Sequence, residues 1–142
     1  MGNRETVLEP IRRAYAARDR GDLDYLMEAF HPDAAFTLVG DKQGLDVAGS
    51  VQGHRSLREA LGGFIATFQF VERQILSELV EGDRAAVHSR LVVRHNPTNK
   101  TRTTECLDLF KFQDGKIIEL IEFADTALVR DMISRASNGV AT

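Results

Sequence analysis

The stretch Phe110-Lys111-Phe112-Gln113-Asp114-Gly115-Lys116-Ile117 decides the architecture. Alternation of apolar and polar residues runs up to Asp114-Gly115, a dipeptide suited to a hairpin turn, and resumes beyond it. The segment reads as two antiparallel strands, about 102–112 and 116–124. The turn sets their register. A type I turn through Gln113-Asp114-Gly115, with Gly115 as a bulge, pairs Phe112 with Lys116 and Cys106 with Glu122, and puts Asp108 and Glu122 on one face. A strict two-residue turn shifts everything by one and separates those carboxyls. The bulged form is preferred, because it gathers Leu107, Leu109, Ile121 and Phe123 into one apolar surface.

Upstream, the same period of two covers about 70–80 and 85–95, punctuated by Glu81-Gly82-Asp83 and Asn96-Pro97-Thr98-Asn99. Before Phe70 the period is helical. Thr6 and Glu9 form a capping box for a first helix with Val7, Leu8, Ile11, Ala14 and Tyr15 on its apolar stripe, and Gly21 stops it. Asp22 caps a second helix carrying Leu23, Leu26, Met27 and Phe30, which Pro32 ends. Ala34 to Val39 reads as a strand, and 40–53 as a loop or flap. A third helix from about His54 carries Leu57, Leu61, Phe64, Ile65 and Phe68. Gly62-Gly63 inside it implies a close approach or a local break. A last helix runs from Thr126 to about Arg135, with a frayed tail from Ser137 to Thr142.

These elements make an α+β chain whose 142 residues form one domain, 1–142. The net charge of −3 and the lack of any Lys/Arg cluster speak against nucleic acid. No stretch approaches the ~20 apolar residues of a membrane span, and the first residues lack the apolar core of a signal peptide. One cysteine, Cys106, allows no internal disulfide and fits a cytoplasmic, reducing compartment.

Three stretches in this order resemble the SnoaL-like and ketosteroid-isomerase-like family of the nuclear-transport-factor-like superfamily. They are Tyr15-Ala16-Ala17-Arg18-Asp19-Arg20-Gly21-Asp22-Leu23-Asp24, His31-Pro32-Asp33-Ala34-Ala35-Phe36, and Phe110 to Ile117 running on into Glu122-Phe123-Ala124-Asp125-Thr126-Ala127. Val51-Gln52-Gly53-His54 fits the same template. The resemblance implies a cone-shaped α+β barrel: a strongly curved, mostly antiparallel sheet wrapped around a helix layer, with a central pocket. It also implies cofactor-free acid–base chemistry on a small molecule. Asp108 matches the position where ketosteroid isomerase keeps a protonated aspartate. Leu38 falls on that enzyme's base and Ala14 on its oxyanion tyrosine, with Tyr15 adjacent, so steroid isomerisation by that mechanism is not expected.

Alternation sorts the side chains. In the resembled fold helices cover the concave face, so Val87, Leu91, Val93, Leu107, Leu109, Ile121 and Phe123 are read as a bare convex face that pairs two copies into a homodimer. The concave face then carries His88, Arg90, Asp108 and Glu122 as the catalytic set. Tyr15, Phe36, Leu38, Phe64, Phe68, Cys106 and Leu120 are the ligand-binding walls. Four ionisable groups in one cavity are costly unless paired or useful. Arg90 is expected either to seal the cavity by a salt bridge to Asp108 or Glu122, or to tune a carboxyl for acid–base work. His54, His31 and His95 read as capping or solvated residues, and Asp125 as an N-cap. No His/Cys/carboxylate spacing suggests a metal, and no glycine-rich loop suggests a nucleotide. Three functions stay open: a cofactor-free isomerase, cyclase or hydrolase on a small apolar or polycyclic substrate, a ligand-binding module, and a dimeric interaction domain.

Overall fold

A computed structural model describes residues 3–134. Two helices lead, α1 (Asn3–Arg20) and α2 (Leu23–Met27), followed by β1 (Phe30–Leu38), β2 (Gly49–Gln52) and α3 (His54–Thr67). The long meander is β3 (Phe68–Glu81), β4 (Arg84–His95), β5 (Lys100–Gln113) and β6 (Lys116–Ala124), and α4 (Thr126–Ile133) ends the described chain. The six strands form one sheet in the order β2-β1-β6-β5-β4-β3, antiparallel except for β1 beside β6. The sheet is open: β2 and β3 are its edges, so the cone is not a closed barrel. The expected frayed tail lies outside the described residues. Among those residues, no helix is long and apolar enough to cross a membrane.

Local signals explain most boundaries. Asp22 caps α2 by accepting the Tyr25 N–H at 3.1 Å, and Asp125 caps α4 by accepting that of Leu128 at 3.1 Å. α1 begins before the Thr6–Glu9 box, so Pro10 lies within it. The second helix is shorter than its apolar stripe suggests, and Phe30 already belongs to β1. The pairing of β1 with β6 slips between Phe30 and Ala35, which accommodates Pro32 in an irregular stretch. The flap at 40–53 contains the short edge strand β2. Gly62 earns its place by packing: a Cβ there would sit 3.1 Å from Leu23 Cδ2.

The central hairpin reaches the expected outcome by another route. Asp114 and Gly115 both have positive φ, 55° and 76°, the signature of a two-residue type I′ turn. The extra residue is Ile118 instead, because Phe112 pairs with Ile117 and Lys111 with Glu119. Downstream of this bulge Asp108 stands directly opposite Glu122, and Cys106 opposite Ala124. The two carboxyls share a face.

On β4 the face assignment is reversed. Ala85, Val87, Ser89, Leu91 and Val93 are buried beneath the helices, while His88 and Arg90 look outward. An apolar face goes to the core and its polar alternate to water, the ordinary rule for a one-sided sheet. Val87, Leu91 and Val93 are therefore core residues, and the outer face keeps Leu107, Leu109, Ile121 and Phe123. Leu79 of β3 joins them, since it pairs with Ala86, which pairs with Leu109, which pairs with Ile121.

The core has two parts. The larger centres on Leu8 and Ile11 of α1, Leu57 of α3, Val87 and Ile117. The smaller lies under α4, where Met132 packs among Phe68, Leu91, Val93 and Cys106. Full burial of side chains this size contributes roughly 1.5–3 kcal/mol each.

Candidate active site

Between the two core clusters lies a cavity of about 130 Å³. α1 contributes Ala14, Tyr15 and Arg18, which fall on one helical stripe with Ile11. β5 contributes Cys106, Asp108 and Phe110, and β6 Leu120, Glu122 and Ala124, each set at the strand period of two. Phe36, Leu38, Leu61, Phe64 and Phe68 form the apolar walls, and Leu128, Val129 and Met132 of α4 close one side. Every expected ligand-binding residue, Tyr15, Phe36, Leu38, Phe64, Phe68, Cys106 and Leu120, lines this space, as do Asp108 and Glu122.

His88 and Arg90 do not. On the outer face, His88 Nε2 lies 2.7 Å from Glu105 Oε1, and Arg90 lies 3.6 Å from the other oxygen of Glu105. The hydrogen bond with His88 holds the Glu105 carboxyl below its usual range. Neither the salt bridge to Asp108 or Glu122 nor the tuning role expected of Arg90 exists. His95, expected in solvent, is buried against Phe68 and hydrogen-bonded to Thr98 Oγ1 at 2.8 Å.

The cations of the site are Arg18 and Arg73, which the sequence reading did not place there. Arg73 makes two parallel hydrogen bonds to Asp19, at 2.8 and 2.9 Å, and stacks 3.8 Å above the Tyr15 ring. Burial alone would lower its pKa, and the Asp19 pairing more than offsets that, so it stays firmly charged. Arg18 donates to the backbone carbonyls of Phe64 and Phe68, at 3.4 and 2.9 Å, and lies 3.8 Å over the Phe70 ring. Burial brings its pKa down to about 10, still charged at neutral pH. Arg18 was legible on the α1 stripe. Arg73 was hidden by a slip in β3 between Phe70 and Glu72, which reverses the facing of the residues after it until a second slip between Ile75 and Ser77 restores it.

Asp108 is the most perturbed carboxyl. Burial, then the nearby Glu122, push its pKa up to about 8, against the opposing pull of Tyr15 and Arg73. The Tyr15 hydroxyl donates to Asp108 Oδ2 at 2.6 Å, while Oδ1 is buried without a partner. Burial also raises Glu122, with Arg18, Arg73 and a hydrogen bond from Cys106 acting in the other direction. Tyr15 and Cys106 are pushed well up, chiefly by burial, so neither is an anion at neutral pH. Burial therefore holds both carboxyls toward their protonated form, with Arg18 and Arg73 as the opposing positive charges.

Cys106 Sγ and the Asp108 and Glu122 oxygens lie within 4.8 Å of one another, a spacing a metal ion could bridge. A thiol held protonated beside two arginines suits a proton-sharing site better than a cation. With one proton between them, the two carboxyls can offer a hydrogen-bond donor and an acceptor side by side in an apolar chamber.

The comparisons with known proteins agree with this frame. A SnoaL-like domain model matches residues 11–120, and the chain belongs to that family. Among solved structures, a proposed isomerase from Bacillus subtilis superposes with a TM-score of 0.83 at 13% identity, covering 93% of this chain and 95% of that one. A proposed SnoaL-like polyketide cyclase from Jannaschia sp. CCS1 gives 0.76 at 20%, covering 92% and 93%. TerC, crystallised with polyporic acid, gives 0.76 at 20%, covering 90% and 98%. These likenesses establish the nuclear-transport-factor-like fold. No curated protein sequence matches the chain significantly.

Proposed function

We propose that this chain is an acid–base enzyme of SnoaL-like type that moves a proton on a small, mostly apolar carbonyl compound. One observation carries the reading: two cross-strand carboxyls share an apolar cavity, with one oxygen, Asp108 Oδ1, buried and unpartnered. Glu122, kept anionic by Arg18 and Arg73, removes a proton from the carbon beside the carbonyl. Neutral Asp108 donates a hydrogen bond to the carbonyl oxygen as the electron pair of the broken C–H bond moves onto it. Return of the proton at another carbon gives a double-bond shift, and attack of the new nucleophilic carbon on a second carbonyl closes a ring. Tyr15 holds Asp108 in place. The isomerase and cyclase names of two structural relatives support this chemistry.

The test is Glu122→Gln and Asp108→Asn assayed on small β,γ-unsaturated cyclic ketones. Turnover lost by a factor of about 10²–10⁴ with binding retained supports the roles. Unchanged turnover in Glu122→Gln removes the base from the account. The small inner volume favours a second reading, a module that holds its ligand unchanged. Binding without turnover in the native protein would establish that one.

The same reading carries a homodimer through the outer sheet face, where Leu79, Phe123 and Leu107 are 67%, 42% and 36% exposed. Sedimentation of Phe123→Glu beside the native chain tests it: monomer for the variant and dimer for the native protein. A native monomer refutes it. A cytoplasmic location fits the lone, buried Cys106.

A further inference from the structure

The inner cavity has a neighbour. Between α3, the 40–53 segment and β2 lies a second hollow of about 350 Å³, larger than the one at the carboxyls. The two share Phe36, Phe64 and Phe68 as walls, so these three rings stand between them. Phe36 and Phe64 meet edge to face with centroids 5.9 Å apart. Ligand pockets for small molecules usually span about 300–1,000 Å³, so the inner cavity alone is too small and the two together are in range.

Gly63 points the same way. It sits inside α3, where glycine is the poorest residue after proline. Unlike Gly62, it has no packing reason, for a Cβ there would meet nothing within 4 Å. What it borders is the outer hollow. A side chain at this position would stand in that space.

We propose that the outer hollow is a second compartment of the ligand site and selects an elongated, multi-ring or ring-plus-tail molecule. Its reacting ring occupies the chamber at Asp108 and Glu122, and its distal apolar part passes the Phe36, Phe64 and Phe68 constriction to lie against Gly63. Beyond the rings, Val47, Ala48, Val51, Ala60 and Ile133 give apolar surface that suits a hydrocarbon ring or chain, beside Lys42, Ser50, Glu59 and Thr67. This inference rests on the proposed ligand site at the carboxyls, and its test separates the two.

The experiment compares phenol with 4-phenylphenol by calorimetric titration of the native protein, Gly63→Val and Ala60→Leu. A phenolic oxygen meets the Asp108 donor in both probes, and only the second has a distal ring. The expected result is an affinity ratio of about tenfold or more in favour of 4-phenylphenol, as burial of a second ring implies. That ratio falls toward one in both variants. A ratio near one in the native protein, or one that both variants leave intact, overturns the second compartment while leaving the inner site standing. Failure of both probes to bind the native protein overturns the inner site and this inference with it.

Discussion

Replacing Asp108 with asparagine removes a proton-binding group while keeping its shape, and the effect on stability has a definite sign. The ordinary aspartate pKa is 3.8, and in the folded chain burial and Glu122 raise it to about 8. Between those values the folded protein retains a proton that the unfolded chain releases, so stability falls as pH rises. The contribution is fully present below pH 4 and lost as pH rises through 8. Each unit is worth about 1.4 kcal/mol, so keeping the carboxyl neutral up to pH 7 costs on the order of 4 kcal/mol for an isolated group. Sharing the proton with Glu122 reduces this to about 2–4 kcal/mol. Asparagine carries no such cost, and its carbonyl still accepts from Tyr15. The expectation is a native unfolding free energy that declines from pH 5 to pH 8, and an Asp108→Asn variant that lacks this decline and is the more stable at pH 8. Urea unfolding followed by far-ultraviolet circular dichroism at half-unit pH steps reads both. Parallel profiles for the two proteins, or a variant less stable at pH 8, would refute the neutral carboxyl.

Tyr15→Phe deletes the donor that lowers the Asp108 pKa, so the alkaline limb of any pH–rate profile should move upward, and stability should drop by about 1–3 kcal/mol at pH 9. Arg73→Ala leaves Asp19 without its partner in a largely buried pair and should cost about 3 kcal/mol, whereas Arg90→Ala on the outer face should cost under about 1 kcal/mol; thermal melts of the two variants test the contrast. Gly63→Ala should stabilise α3 by about 0.5–1 kcal/mol because its Cβ meets open space. Gly62→Ala should gain less or lose stability because Leu23 must give way. Chemical denaturation orders the pair.

Much of this was written in plain periodicity. The switch from a helical to a twofold period near Phe70, the Asp114-Gly115 turn and the caps at Asp22 and Asp125 are local signals that survive folding. They sufficed to place Asp108, Cys106 and Phe110 on the inner face. Strand β4 misled because both its faces offered a story. Facing His88 and Arg90 inward made a polar cavity, but burying Val87, Leu91 and Val93 gains more than enclosing an imidazole and a guanidinium.

Bulges were the other obstacle. They are set by pairing across the sheet, not by neighbours in sequence, so the insertion at Ile118 and the slip after Phe70 left no mark in the alternation. The first still put Asp108 and Glu122 on one face, though opposite each other and with Cys106 opposite Ala124 where Glu122 was expected. The second concealed Arg73, the residue that anchors Tyr15 and Asp19. Strand β2 was missed because Gly49 and Ser50 look like loop, and only its pairing with β1 makes it a strand.

The central claim is that, at neutral pH, Asp108 is an uncharged acid beside an anionic Glu122. Carbon-13 NMR of the chain labelled at aspartate and glutamate carboxyls, assigned with Asp108→Asn and Glu122→Gln, reads this directly. The account predicts an Asp108 carboxyl signal in its protonated position at pH 6 that titrates with a midpoint near 8, with Glu122 ionising first. An Asp108 signal already in the ionised position at pH 6, with a midpoint in the ordinary range near 4, would contradict it.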